Sequence, residues 1–256
     1  MRKAAPPPIE IAEAPFDTPL LDHWRGVFDH VFFAFNPLFR VPVPPGQSLK
    51  TTSDDDGTLW VSTDHEANAY DAFDFFTWEK QQSETLRWSD LHSHVAPDAP
   101  FKDFAIALWL ISVLGFQDAY RTLQQRILDY TERNAWFLPD ENQMPMVMES
   151  AIGAFLSALG LDQVTAYNEF RWDKAPLAVR ALAKDRPFNR LQNPEWKGWI
   201  GALHAPDPGV LIYWSFDDIT TCIAMTDKAH AMAKPEDFFE GLRATPAMCA
   251  NFLRQL

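Results

Sequence analysis

The chain has 256 residues, 47% of them hydrophobic, with 35 acids against 22 bases and a formal net charge of −13. At this length folding buries roughly 70–75% of the surface that the unfolded chain exposes, so a core forms without a disulfide staple. The charge repels phosphate backbones and anionic headgroups, which excludes nucleic acid and membrane surfaces as partners; it favours a basic protein surface, or serves solubility alone.

The opening MRKAAPPPIEIAEAP sets Pro6, Pro7, Pro8 and Glu10 where an export signal needs an unbroken apolar run, so no such signal is expected. Nine of the 20 prolines fall before residue 46, and each removes a backbone donor and fixes φ. Residues 1–19 therefore read as a flexible Pro-rich arm. Between prolines, LLDHWRGVFDHVFFAFN spaces Leu20, Trp24, Val27, Val31 and Phe35 as one helical face, which predicts a helix. The next segment, RVPVPPGQSLKTTSDDDGTLWVSTD, predicts an extended loop with at most a short hairpin around Asp56-Gly57.

From Thr51 to Glu79 there are eight acids and no Lys or Arg. Asp54, Asp55, Asp56, Asp64, Glu66, Asp71 and Asp74 interleave there with Trp60, Tyr70, Phe73, Phe75, Phe76 and Trp78. Aromatic anchors inside a charged rim are the composition of protein interfaces. A core-facing stripe of Tyr70, Phe73 and Phe76 with acids on its wet back accounts for much of the same pattern, but it leaves Phe75 and Trp78 over.

Beyond Asp64 the periodicity is helical through EANAYDAFDFFTWEKQQ, FKDFAIALWLISVLG, FQDAYRTLQQRILDYTERN, MPMVMESAIGAFLSALG and LDQVTAYNEFRW. Gly115 and Gly160 each follow an apolar run and are placed as left-handed residues closing helices. LISVLG and FLSALG, 45 residues apart, suggest a repeated helix pair. The longest apolar run, residues 104–116, has 13 residues against the roughly 20 that a bilayer span requires. The expectation is a mostly α protein of antiparallel helical hairpins, one domain with an N-terminal half at 20–138 and a C-terminal half at 139–256. Two isolated cysteines, Cys222 and Cys249, suit a reducing compartment, so the protein is expected in the cytoplasm.

Few motifs carry chemistry. SDLHSHV sets Asp90, His92 and His94 in the pattern of a strand-borne metal site, since residues two apart share one side of a strand. Its flanks, ETLRWS and APDAPF, lack the apolar run of a barrel strand, and a solvated loop between two helices is the alternative. There is no Gly-rich phosphate loop, no GxSxG elbow and no CxxC pair. No catalytic residue and no cofactor are expected.

The stretch GVLIYWSFDDITTCIAMTD admits two structures. By composition it is two strands meeting at an acidic turn. By local signals it is a helix start, with Ser215 as N-cap, Asp217 and Asp218 in the first turn, and Phe216 and Ile219 facing a core. The capping signals favour the helix, against a β-branched content that lowers helix propensity by a few tenths of a kcal/mol per residue.

The segment EWKGWIGALHAPDPGVLIYWSFDDITTCIAMTDKAHAMAKPEDFFEGL resembles the C-terminal signature of the PoNi-type immunity proteins, which protect bacteria from PoNe-type DNase toxins. Tyr213, Trp214, Ser215, Phe216 and Asp217 match an aromatic-Trp-Ser-Phe-acidic element, Asp227 an Asp-containing turn, and Pro235, Glu236 and Asp237 a Pro-acidic pair. The resemblance implies a mostly helical, non-enzymatic protein that occludes the active site of a cognate antibacterial toxin, a nuclease with a basic surface. Its expected contacts are Asp54, Asp55, Asp56, Trp60, Asp64, Glu66, Asp71, Asp74, Trp78, Asp217 and Asp218. The rival readings are a metal-dependent hydrolase centred on Asp90, His92 and His94, and a helical adaptor for a non-toxin partner.

Overall fold

The computed structural model describes residues 7–42, 49–53, 59–63, 75–139, 141–189, 199–251 and 253, with backbone alone for 49–53, 59–63 and Phe75. After a 3-10 turn at Ile9–Ile11, the elements are α1 (Leu20–His23), β1 (His30–Phe35), β2 (Leu38–Arg40), β3 (Leu49–Ser53), β4 (Leu59–Thr63), α2 (Phe75–Gln82), β5 (Glu84–Leu86), α3 (Trp88–Val95), α4 (Phe101–Ser112) and α5 (Arg121–Arg133). The second half adds α6 (Glu149–Ala158), β6 (Gln163–Asn168), β7 (Lys174–Ala178), β8 (Ile200–Ala205), β9 (Val210–Trp214), β10 (Thr220–Met225), α7 (Asp227–Met232) and β11 (Gly241–Arg243).

Seven strands form one antiparallel sheet in the order β11-β1-β10-β9-β8-β6-β7, and β2 pairs with β5 and β3 with β4 as separate ribbons. The expected all-α architecture of helical hairpins is therefore wrong: the protein is mixed α/β. The reason lies in burial. Helices cover both faces of the sheet, so its strands are near-continuous apolar runs, and such runs have no alternation to separate a strand from a buried helix.

The interval from Leu20 to Asn36 shows the error in detail. The helix stops after one turn at His23, with Trp24 as its C-cap and Gly26 at φ +78° turning the chain. β1 then inserts between β10 and β11, sending Val31, Phe33 and Phe35 into one core and Phe32 and Ala34 into the other. LDQVTAYNEFRW likewise yields β6 and the turn after it rather than a helix. The short hairpin is present as β3 and β4, with Ser53 opposite Leu59, while its Asp56-Gly57 turn lies outside the described residues.

One core packs α3, α4 and α5 on the sheet through Trp88, Leu91, Phe104, Leu108, Ile127 and Tyr213. The other packs α6 and α7 through Ile152, Phe155, Leu156, Trp214, Ile223 and Ala229. LISVLG and FLSALG thus end helices on opposite faces of the sheet, and they form no repeated helix pair. Gly160 takes the left-handed conformation at φ +71° as expected, but after α4 that role falls to Leu114 at φ +55° in place of Gly115.

Long-range polar bonds fix the layers. Glu240, just before β11, accepts from the first-turn amides of α3, Trp88 N at 2.7 Å and Ser89 N at 2.9 Å, as a carboxylate cap on a helix N-terminus. Lys80 on α2 meets Glu149 at the start of α6 at 2.6 Å with both side chains buried, and it also donates to the carbonyls of Ala181 and Pro187. Burial pushes the Glu149 carboxyl up to about 6, against the pull of Lys80. Among the described residues, no helix is long and apolar enough to cross a membrane.

Candidate functional site at the turn end of the sheet

In an antiparallel sheet, alternate connections emerge at the same end. The register sets Phe35 opposite Thr220, Thr221 opposite Trp214, Tyr213 opposite Ala202, and Asn168 opposite Ile200. The β6–β7 turn at 169–173, Trp199 before β8 and the β9–β10 turn at 215–219 therefore share one end. Phe170, Trp172, Trp199 and Phe216 stand there 56%, 71%, 50% and 64% exposed. Glu169 and Asp173 flank Phe170 and Trp172 in sequence, Asp217 and Asp218 follow Phe216, Glu13 pairs with Arg171 and Glu141 lies near Asp217, while Trp199 packs against Phe76 and Phe188.

The β9–β10 turn corrects the helix expected at Ser215. β9 and β10 pair directly, and Asp217 and Asp218 sit at the hairpin tip. The acid that mimics a first-turn residue closes the turn instead: Asp218 Oδ1 accepts from Thr220 N at 3.0 Å and from the Thr220 hydroxyl at 2.9 Å, an Asx turn. Ile219 is buried as expected, whereas Phe216 faces water. Asp217 holds φ +55°, fixed by its N–H donating to Asn142 Oδ1 at 2.5 Å and by its carbonyl accepting from Trp109 Nε1 at 2.8 Å.

The β6–β7 turn is built around Arg171, at φ +62°. Its guanidinium, 4% exposed, donates to Glu13 Oε1 at 2.9 Å and to the carbonyls of Glu169 at 2.7 Å and Asn168 at 3.2 Å. Asn168 Oδ1 accepts from the amides of Trp172 and Asp173 at 3.0 and 3.3 Å. Gly201 makes room for this knot, because a Cβ there would lie 2.6 Å from Glu169 Cα and 2.8 Å from Arg171 Nη1. Asn142, at φ +65°, makes a third left-handed residue at this end, of the five non-glycine ones among the described residues. Such conformations persist only where the surroundings over-determine them, and they gather at functional sites.

Electrostatics follow from crowded acids on a half-buried rim. Burial raises the Glu13 carboxyl, partly offset by Arg171. Burial and the neighbouring Asp217 raise Glu141. Burial pushes Asp218 up to about 7, against the hydrogen bonds from Thr220. Beneath them, burial raises the Tyr213 phenol and the Cys222 thiol, so neither is an activated nucleophile.

The other expected positions lie on other elements or outside the described residues. Asp54, Asp55, Asp56, Asp64, Glu66, Asp71 and Asp74 fall outside the described residues, and Trp60 lies in β4, described by its backbone alone. Trp78 is half-buried on α2 and donates to the Pro42 carbonyl at 3.1 Å. SDLHSHV is neither strand nor loop but α3, where residues two apart diverge by about 200°. His92 Nε2 meets the Ala99 carbonyl at 2.9 Å, and His94 Nδ1 the Asp90 carbonyl at 2.6 Å. Among the described residues, no group of three or more His, Cys, Asp or Glu could hold a metal ion. Sequence reasoning missed Phe170, Trp172, Trp199, Glu13, Glu141, Glu169 and Asp173. The alternation of acid and aromatic in EFRWD was the signal for most of them.

The opposite end of the sheet carries a cleft of about 200 Å³ lined by Asp29, His30, Phe32, His230, Glu236 and Arg243 among others. His30 stacks on His230 with ring centroids 4.1 Å apart and 19° between planes. His30 Nε2 meets Asp227 Oδ1 at 2.8 Å, Asp29 accepts from the Asp227 amide at 2.8 Å, and Glu236 pairs with Arg243. His230 Nε2 is shielded from solvent without a hydrogen-bond partner among the described residues.

Fold and site together define a sheet-centred α/β protein with an acidic, aromatic rim at one end. The chain belongs to the family described as a protein of unknown function (DUF2711), whose model matches residues 16–252. Comparison with curated proteins and with solved structures gave no match.

Proposed function

We propose that the protein is a non-enzymatic, cytoplasmic immunity protein that seats the turn end of its sheet on the basic active-site cleft of a cognate antibacterial toxin, a nuclease. The observation that carries this reading is the placement of four exposed aromatic rings and six acids at one end of the sheet, with the β6–β7 and β9–β10 turns held in left-handed conformations by bonds from distant segments. A nuclease cleft is built to attract phosphate. An acidic rim supplies the complementary potential and a fast on-rate, while aromatic anchors supply the desolvated centre. The C-terminal resemblance to PoNi-type immunity proteins supports the same reading through Phe216 and Asp217, which lie on this rim.

The test is co-expression with the toxin encoded beside this gene. Survival of the cells, a complex recovered at low salt, and loss of both on Trp172→Ala with Phe216→Ala are expected. Equal killing with and without the protein, with no complex at low salt, overturns the reading. Protection unchanged in the double variant moves the interface elsewhere.

A further inference from the structure

The β6–β7 turn has a chemistry more specific than an acidic rim. Phe170 and Trp172 stack with centroids 4.9 Å apart and 28° between planes, and both rings are more than half exposed. Glu169 and Asp173, also exposed, flank them in sequence. The intervening Arg171 is committed inward, to Glu13 and to two backbone carbonyls. Lys174 opens β7 opposite Tyr167, where it belongs to the ladder rather than to the turn.

We propose that this stacked pair with its two carboxylates is the seat for a guanidinium, so that the partner's anchoring side chain is an arginine laid flat on an outer face of the pair. The inference rests on the binding reading above and names the partner's chemistry at one point of it. A guanidinium is planar, weakly hydrated and able to stack on an aromatic face while its edge donates to carboxylates. An ammonium is compact and strongly hydrated, and it gives up more solvation to reach the same rings. An aliphatic anchor would satisfy the rings but leave Glu169 to be desolvated without a donor and Asp173 with the single bond from Asn168 Nδ2 at 3.1 Å.

Calorimetric titration of the intact protein with hexa-arginine and hexa-lysine peptides tests this, because the two peptides carry equal charge and differ only in the cationic group. The arginine peptide should bind about fivefold tighter, the scale of one cation–π contact. Trp172→Ala should erase that preference, bringing hexa-arginine down to the affinity of hexa-lysine; Trp172→Phe should retain most of it and guard against loss through misfolding. Equal affinities for the two peptides overturn the arginine seat, as does a preference that survives Trp172→Ala. Either result, obtained with protection from the toxin intact, removes the seat and leaves the binding reading standing.

Discussion

The two ends of the sheet use their charged groups differently. At the histidine end, acids are matched within the chain: Asp227 by His30, Glu236 by Arg243, and Asp29 by the amide that opens α7. At the turn end, among the described residues, Arg171 pairs with Glu13, while Asp218 and Asp173 take neutral donors from Thr220 and Asn168 and aromatic rings stand exposed beside them. Charge neutralised within a chain holds elements together. Charge left on a rim beside exposed rings is available to another molecule, and the rigid turns mean that little ordering remains to oppose binding.

Breaking the turn end should therefore affect binding far more than stability. Trp172→Ala or Phe216→Ala is expected to weaken the toxin complex by about 2–4 kcal/mol, as interface aromatics do. Chemical denaturation should register less than about 0.5 kcal/mol, because each ring is mostly in water already. Gly201→Ala sharpens the point from beneath. Its Cβ would strike Glu169 Cα and Arg171 Nη1, so a destabilisation of about 1–3 kcal/mol and a weaker complex should appear together, the first by melting and the second by calorimetry.

How much of this was legible in the sequence depends on what each residue leaves unburied. The helical spacing of FKDFAIALWLISVLG and FQDAYRTLQQRILDYTERN marks α4 and α5, and Gly160 marks the end of α6, because a helix on a sheet keeps one wet face. HVFFAF and TTCIAM are buried on both sides, so they carry no period, and only their β-branched and aromatic content speaks for strand. Composition offers a hairpin with Asp217 and Asp218 at its acidic turn, but the capping signals outweigh it, since Ser-x-x-Asp closes an Asx turn as readily as it caps a helix. Glu13 joins the rim only through Arg171, 158 residues away, a contact that local pattern does not report.

The ends should also answer pH with opposite signs. Burial raises Asp218 to about 7, so between the ordinary carboxylate range and neutrality the folded state holds a proton that the unfolded chain has lost. Its contribution to stability is present in acid and is lost as pH rises towards 7. Burial, then the neighbouring His30 and Arg243, lower His230, so the unfolded chain takes up a proton first as pH falls below about 6.5. Its contribution is present near neutrality and is lost in acid. Denaturation midpoints measured from pH 4.5 to 8 should show Asp218→Asn flattening the decline towards neutrality and His230→Gln flattening the acid-side loss. Matching profiles for the two variants would deny the contrast.

The smallest effect expected is at Arg243. Its partner Glu236 and its own side chain, 33% and 53% exposed, form an ion pair in high dielectric, where such pairs contribute about 0–1 kcal/mol. Arg243→Gln should therefore lower stability by less than about 1 kcal/mol, more at low salt than at high, since screening weakens the wild-type pair. The toxin complex should be unaffected, because the substitution lies at the far end of β1 and β11 from the rim. A loss of binding as large as that from Trp172→Ala would mean that the histidine end, and not the turn end, meets the partner.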